Sequence, residues 1–195
     1  MKNQNRSYLF LVWPKYLAQW YAHEMYRLSI LDEKVQPPFM YNCDVEVSDL
    51  EPVKTLRGSA ERNILELCLT KQPESIPAKN PSNATICIEI PYLANRPPEV
   101  YSYLRPSGRD LLETTVRNHF RLALTKWMNK MLFQYRVIKA GGSATQEKVI
   151  EAFMEANGIE YTETNLLAIK QLWRRLANNE YNARLRRKKH ENTGS

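Results

Sequence analysis

Short apolar runs that stop at proline predict the strands of this chain. Residues 7–13 (SYLFLVW) are rich in aromatic and β-branched side chains and end at Pro14, and residues 84–90 (ATICIEI) also end at a proline. In residues 43–50 (CDVEVSDL), valines alternate with polar side chains, which predicts a strand with one face in solvent. Together these segments predict a small sheet.

Apolar positions with helical spacing predict three helices between and after these strands. One follows Pro14, a second begins at Ser59 as N-cap, and the longest begins at Ser107, with Asp110 completing a variant of the capping box. The core face of the long helix repeats at i, i+3, i+4 and i+7 as far as about Tyr135. It carries Leu112, Val116, Phe120, Ala123, Leu124, Trp127, Met128 and Met131. We therefore predict an α+β body over residues 1–140, with the small sheet packed on this long amphipathic helix.

Two further helices predict a small all-helical module over residues 141–195. The first begins with a capping box at Ser143 and stops at Asn157-Gly158, and the second begins near Thr162 or Thr164. Two short helices joined by a glycine-containing turn are typical of a helix-turn-helix unit. The module resembles, in general form, three-helix DNA-binding modules of the helix-turn-helix or homeodomain-like kind. No family consensus matches residue by residue, so the resemblance assigns no individual roles.

The net charge of +7 is concentrated in one segment of the module. Between Lys170 and His190 there are eight basic side chains and one acidic side chain, Glu180, while the rest of the chain is balanced. The basic residues are Lys170, Arg174, Arg175, Arg184, Arg186, Arg187, Lys188 and Lys189. Positive charge concentrated in one segment indicates a polyanionic partner, and it predicts that these residues bind nucleic acid.

A helical projection divides the basic residues into two groups. Lys170 and Arg174 lie on the shoulder of an apolar stripe and Arg175 points nearly away from it. Beyond Asn178-Asn179 the stripe fails, and the cations of residues 184–189 surround the whole circumference. This second group is predicted to be either a projecting helix or a tail that orders on contact, and both suit phosphate binding.

Sequence readout is predicted from the start of the second module helix, over residues 162–165 (TETN). There Asn165 is the candidate to contact adenine. The alternative is that Asn165 serves only as a helix-start residue.

The sequence contains none of the common catalytic or metal-binding motifs. It has no phosphate-binding glycine loop, and His23-Glu24 begins a zinc-protease motif whose second histidine position is occupied by Arg27. We therefore predict no cofactor, no metal and no enzymatic activity. The three cysteines are widely spaced with no CxxC pair, so we expect unpaired, mostly buried thiols in a cytoplasmic protein. The sequence has no apolar stretch long enough to span a bilayer, so we expect no membrane partner.

The leading hypothesis is therefore a nonenzymatic DNA-binding regulator or accessory factor, for example of a mobile element, with duplex DNA as the favoured partner. The N-terminal body would then form a homodimer or contact a protein partner. The alternative is a structural or scaffold protein whose body mediates protein contacts, with the basic segment adding only non-specific electrostatics. A nuclease would require a carboxylate site. The acids of residues 44–51 cluster along one predicted strand and turn, but no second cluster of ligands accompanies them.

Overall fold

The protein has an α+β fold, as the sequence predicts. A computed structural model describes residues 7–30, 41–75, 81–138 and 146–193. The helices are α1 (Lys15–Ile30), α2 (Ala60–Cys68), α3 (Pro106–Ile138), α4 (Gln146–Ala156) and α5 (Glu163–Thr193). The strands are β1 (Tyr8–Leu11), β2 (Pro52–Val53), β3 (Leu69–Thr70), β4 (Ile86–Glu89) and β5 (Tyr103–Leu104).

The chain forms two compact units. One unit comprises Met1–Phe120 with Asn157–Ile159, and the other comprises Arg121–Ala156 with Glu160–Ser195. The helix α3 supplies residues to both. The predicted domain boundary between residues 140 and 141 lies outside the described residues and stays a prediction, as does the predicted capping box at Ser143.

In the first unit, β4 is the central strand of a three-stranded sheet. It pairs antiparallel with β1 and parallel with β2, with Leu9 opposite Ile88 and Val53 also opposite Ile88. Three successive side chains of β4 are buried: Ile86, Cys87 and Ile88. A strand buried on both faces requires a continuous apolar run, as residues 84–90 provide. The predictions of strands within 7–13 and 84–90 are confirmed by β1 and β4, and in β1 only the alternate side chains Leu9 and Leu11 are buried.

The predicted strand over residues 43–50 is wrong. Residues 42–46 are irregular, and Val47–Asp49 form a single 3-10 turn closed by the Asp49 N–H donating to the Glu46 carbonyl. The Asn42 side chain also accepts a hydrogen bond from the Asp44 N–H at 2.9 Å. Local bonds of this kind satisfy the backbone without a sheet partner, so they compete with strand formation despite the alternating pattern.

The predicted helix-start chemistry is confirmed for α2 and wrong for α3. The Ser59 side chain accepts a hydrogen bond from the Arg62 N–H at 3.1 Å and caps α2, as predicted. The predicted capping box of α3 at Ser107 and Asp110 is wrong: Ser107 lies within the helix, because Pro106 occupies the first helical position, where its missing N–H costs nothing. Gly108 then allows close packing, since a Cβ atom there would lie 2.7 Å from the Cβ of Cys68.

Aromatic side chains form the core of the first unit around α1. Tyr21 packs edge-on against Trp13 with ring centroids 5.6 Å apart. Phe120 of α3 contacts both Tyr16 and Trp20, at 5.2 and 5.3 Å. The predicted core face of α3 is therefore used where it meets α1.

The second unit contains three helical segments, namely residues 121–138 of α3, α4 and α5. The indole N–H of Trp127 donates to the Val149 carbonyl at 3.1 Å, and its ring lies 5.9 Å from that of Phe153. On α5, Ile169 and Trp173 are buried. The predicted helix stop after α4 is confirmed by Gly158, whose φ of +63° is the left-handed conformation that favours glycine.

Candidate nucleic-acid interface

The start of α5 is held by two capping interactions. The hydroxyl of Thr162 accepts a hydrogen bond from the Asn165 N–H at 3.2 Å, and the Thr162 carbonyl accepts one from the Leu166 N–H at 2.9 Å. The Asn165 side chain is only 3% exposed, and its amide donates to the Glu160 carbonyl at 3.0 Å. Asn165 therefore has the helix-start role that the sequence analysis left open as the alternative. Contact with adenine would require it to break this bond.

Lys170 forms an ion pair within the second unit. Its ammonium group donates to Oε2 of Glu147 on α4 at 2.8 Å, and the two side chains are 24% and 46% exposed. The charge of Lys170 is thus already compensated. Before it could bind a phosphate, it would have to leave Glu147.

Arg174 and Arg175 are available to a partner. Both side chains are exposed, and neither forms an ion pair or hydrogen bond within the described part of the chain. They lie just beyond Trp173, the last fully packed residue of α5. Because the packed segment fixes their backbone, the side of the helix from which each side chain leaves is fixed as well.

Beyond these arginines α5 continues as a helix to Thr193. At 1.5 Å per residue, its 31 residues extend for about 46 Å. From Asn178 onwards every side chain that the structure describes is exposed: Asn178, Asn179, Tyr181, Asn182 and Ala183. Of the two predicted forms, the backbone thus adopts the helix. Residues Arg184, Arg186, Arg187, Lys188 and Lys189 lie on this helical backbone, and their side chains lie outside the description.

Charge is strongly polarised along the second unit. Residues 146–169 contain five acidic side chains and one lysine, whereas residues 170–193 contain eight basic side chains and two acidic ones. The acids of the first segment are Glu147, Glu151, Glu155, Glu160 and Glu163. A polyanion is therefore repelled at the start of α5 and attracted to its end. This places the predicted readout positions 162–165 in unfavourable electrostatic surroundings.

The first unit contains a buried acidic group that the sequence analysis missed. Glu61 on α2 is almost fully buried, and its Oε1 lies 2.8 Å from Nδ1 of His119. Burial, and secondarily the charge of Glu61, raise the pKa of Tyr21. Glu61 precedes the buried Ile64 and Leu65 by three and four residues, and this spacing was the signal that it shares their inward face.

A cavity of about 310 Å³ also lies in the first unit, next to α1 and β2. Its walls include the apolar side chains of Ala22, Met25, Val53 and Leu56, with Lys54 among the polar ones. Nothing in the sequence pattern indicated this cavity. Its size is at the lower end of the range typical of small-molecule sites.

The fold and the charge distribution thus define an α+β protein whose helical unit contains a long helix, α5, with a basic second half. No protein-family model, curated protein or solved structure matches the chain. Among the described residues, no group of three or more His, Cys, Asp or Glu side chains is arranged to hold a metal ion. The helices in the same residues are too short or too polar to cross a membrane.

Proposed function

We propose that this protein binds duplex DNA through the basic end of α5, as a regulatory or accessory protein without enzymatic activity. The observation that supports the proposal best is that α5 continues as a helix through the basic segment, and that every side chain described from Asn178 to Ala183 is exposed. The side chains described in this stretch therefore have no packing role. Eight cations along residues 170–193 give it a surface suited to phosphates.

The dimensions of a single helix support duplex DNA as the partner. An α-helix with its side chains is about 10–12 Å across, and the major groove of B-DNA is about 12 Å wide. A helix with cations around its circumference can contact the phosphates on both walls of the groove. Arg174 and Arg175, fixed by the packed half of α5, would set the direction in which the helix enters.

The direct test compares the full chain with a chain that ends at Asn179, using duplex DNA over a series of salt concentrations. If about five cations pair with phosphates, the logarithmic salt slope of the full chain is roughly −4 to −5. The truncation removes Arg184, Arg186, Arg187, Lys188 and Lys189, so most of this slope and most of the affinity should be lost. Equal affinity and slope for the two chains would refute the proposal.

A matched control distinguishes local charge from total charge. Five exposed cations outside α5 can be replaced by glutamine: Lys54, Arg57, Arg105, Lys126 and Lys130. This variant has lost the same number of cations as the truncated chain and should keep nearly all of the slope. A separate Arg174→Ala, Arg175→Ala variant should weaken binding and reduce the slope by up to about two. If it changes nothing, the extension binds alone and the packed helix has no orienting role.

A scaffold role for the first unit is the second candidate function. The observation that favours it is the exposure of large apolar side chains, with Leu67 76% and Leu111 50% exposed. Such residues are suited to contact a protein partner or a second copy of the chain. Sedimentation of the full chain and of a Leu67→Ser, Leu111→Ser variant tests self-association. DNA binding that is unaffected by truncation, together with association lost in this variant, would favour the scaffold role.

A further inference from the structure

We infer that one face of α5 reads base pairs in the major groove, with Asn178 and Asn182 as the side chains that contact adenine. The inference rests on the proposed function and assigns sequence readout to the middle of α5. Its start, where Asn165 was predicted to read bases, is excluded from this role by burial and by acidic neighbours. The two asparagines lie between the two groups of cations.

The helical repeat places both asparagines on a stripe that faces away from the packed side of α5. At about 100° per residue, the positions of this stripe fall within roughly 30° of a common line. They are Gln171, Arg175, Asn178, Asn182 and Lys189. The buried side chains Asn165, Ile169 and Trp173 centre on the opposite side of the helix. The stripe extends for about 27 Å, and the side chains of it that the structure describes, at positions 171, 175, 178 and 182, are all exposed.

Helix propensity does not favour asparagine at these two exposed positions. Asparagine is a poor residue for a helix interior and favours caps and turns, where its side chain bonds to the backbone. Asn165 shows that use in this chain, since it is buried and bonded at the start of α5. Asn178 and Asn182 are exposed, lie well within α5 and away from its ends, and have no hydrogen-bond partner within the described residues. Their amides are therefore available to a ligand.

The chemistry of the stripe matches an adenine-containing duplex. An asparagine amide pairs with the N6 donor and N7 acceptor of adenine, an arrangement that only the major groove presents. The rise between Asn178 and Asn182 is about 6 Å, which corresponds to roughly two base-pair steps. Arg175 and Lys189, near the ends of the stripe, provide cations for phosphates or for guanine.

The experiment is a selection of tightly bound sequences from a random duplex DNA pool by the full chain. The wild type should enrich a motif that contains A·T pairs. Asn178→Ala and Asn182→Ala should each lose preference at one position of that motif, by about tenfold. The salt slope on non-specific DNA should stay unchanged, because no charge is removed. The matched control is Asn179→Ala: Asn179 is equally exposed but lies about 70° from the stripe, so this variant should keep the motif.

Failure of the inference is distinguishable from failure of the proposed function. Salt-dependent binding without an enriched motif, or with a motif that both stripe variants retain, would overturn the readout role and leave DNA binding intact. Tighter binding to single-stranded RNA than to duplex DNA, unchanged by the stripe substitutions, would also overturn it. Absence of binding to every nucleic acid would remove the proposed function itself.

Discussion

The two halves of α5 have the same secondary structure for different reasons. Residues 163–177 carry a buried stripe that packs within the second unit and includes Ile169 and Trp173. Residues 178–193 continue the same helix, with every described side chain exposed. The first half is helical because packing of its apolar side chains stabilises it. The second half depends on propagation of the helix from the first half.

This difference separates residues that hold the protein together from residues that can act on a partner. Lys170 and Arg174 are only four positions apart. Yet Lys170 is paired with Glu147 in the packed half, while Arg174 has no partner within the described residues. Basic residues that look equivalent in the sequence therefore differ in the free energy needed to transfer them to a phosphate. The first has to break an ion pair, and the second does not.

The largest expected effect on stability comes from replacing an aromatic side chain with alanine in each half of α5. Trp173→Ala removes a side chain that is 5% exposed and should lower the free energy of unfolding by about 3 kcal/mol or more. Tyr181→Ala removes one that is 63% exposed and should change it by less than about 0.5 kcal/mol. Chemical denaturation monitored by circular dichroism measures both values. Equal losses would show that the second half of α5 is packed after all.

The next largest effect comes from asparagine substitution in the two halves. Asn165→Ala removes one of two hydrogen bonds to the Glu160 carbonyl, which still accepts from the Thr162 N–H, and it should cost about 1 kcal/mol of stability. Asn182→Ala replaces an exposed residue with a better helix former and should stabilise the helix by about 0.5 kcal/mol. The same denaturation experiment compares them. Destabilisation by Asn182→Ala would indicate an unseen structural contact of that side chain.

A smaller effect is expected from the ion pair that compensates Lys170. Glu147→Gln removes its carboxylate, and because the pair is partly solvated the stability should fall by less than about 1 kcal/mol. The same change leaves Lys170 without its acidic partner, so affinity for duplex DNA should increase severalfold and the salt slope should steepen by about one. Glu155→Gln, which removes an exposed acid on the same helix, is the control. An equal gain in both variants would mean that only net charge matters.

The smallest expected effect is on the pH dependence of stability, and it involves His23 in the first unit. Burial lowers the pKa of His23 below its ordinary 6.5, an effect that Glu24 opposes and Arg27 reinforces. Between the folded and the unfolded pKa values, the unfolded chain binds more protons than the folded chain. The contribution of neutral His23 to stability is therefore fully present above about pH 6.5, and it is lost as the pH falls through the folded pKa. His23→Gln should flatten the decline in thermal unfolding temperature between pH 7.5 and 5.5. An unchanged decline would assign the pH dependence to other groups.

The sequence predicted most elements whose signals are local. Pro14, Ser59 and Gly158 each mark a helix boundary through their own backbone chemistry, and the structure has boundaries at all three. The prediction of a strand over residues 43–50 failed because two local signals compete there. The alternation in residues 43–50 is as regular as that of a strand, but the Asn42 side chain and a 3-10 turn satisfy the backbone first.

The candidate interface could be predicted only in part. The concentration of charge between Lys170 and Lys189 is visible in the sequence, because net charge needs no fold. The pairing of Lys170 with Glu147 is not visible, since it depends on how α4 and α5 pack. The burial of Asn165 depends likewise on the turn at Glu160. Each of these contacts joins residues on different elements, which the pattern of one segment cannot specify.

The sequence by itself determined the α+β composition of this protein, its main helices and the location of its positive charge. These properties follow from side-chain periodicity, capping chemistry and residue counts, which act over a few neighbouring positions. Only the tertiary structure decided which polar side chains remain available. Packing within the second unit buries Asn165 and pairs Lys170, and it leaves Arg174, Asn178 and Asn182 exposed. Availability depends on three-dimensional contacts, because a side chain is exposed only where no other element covers it.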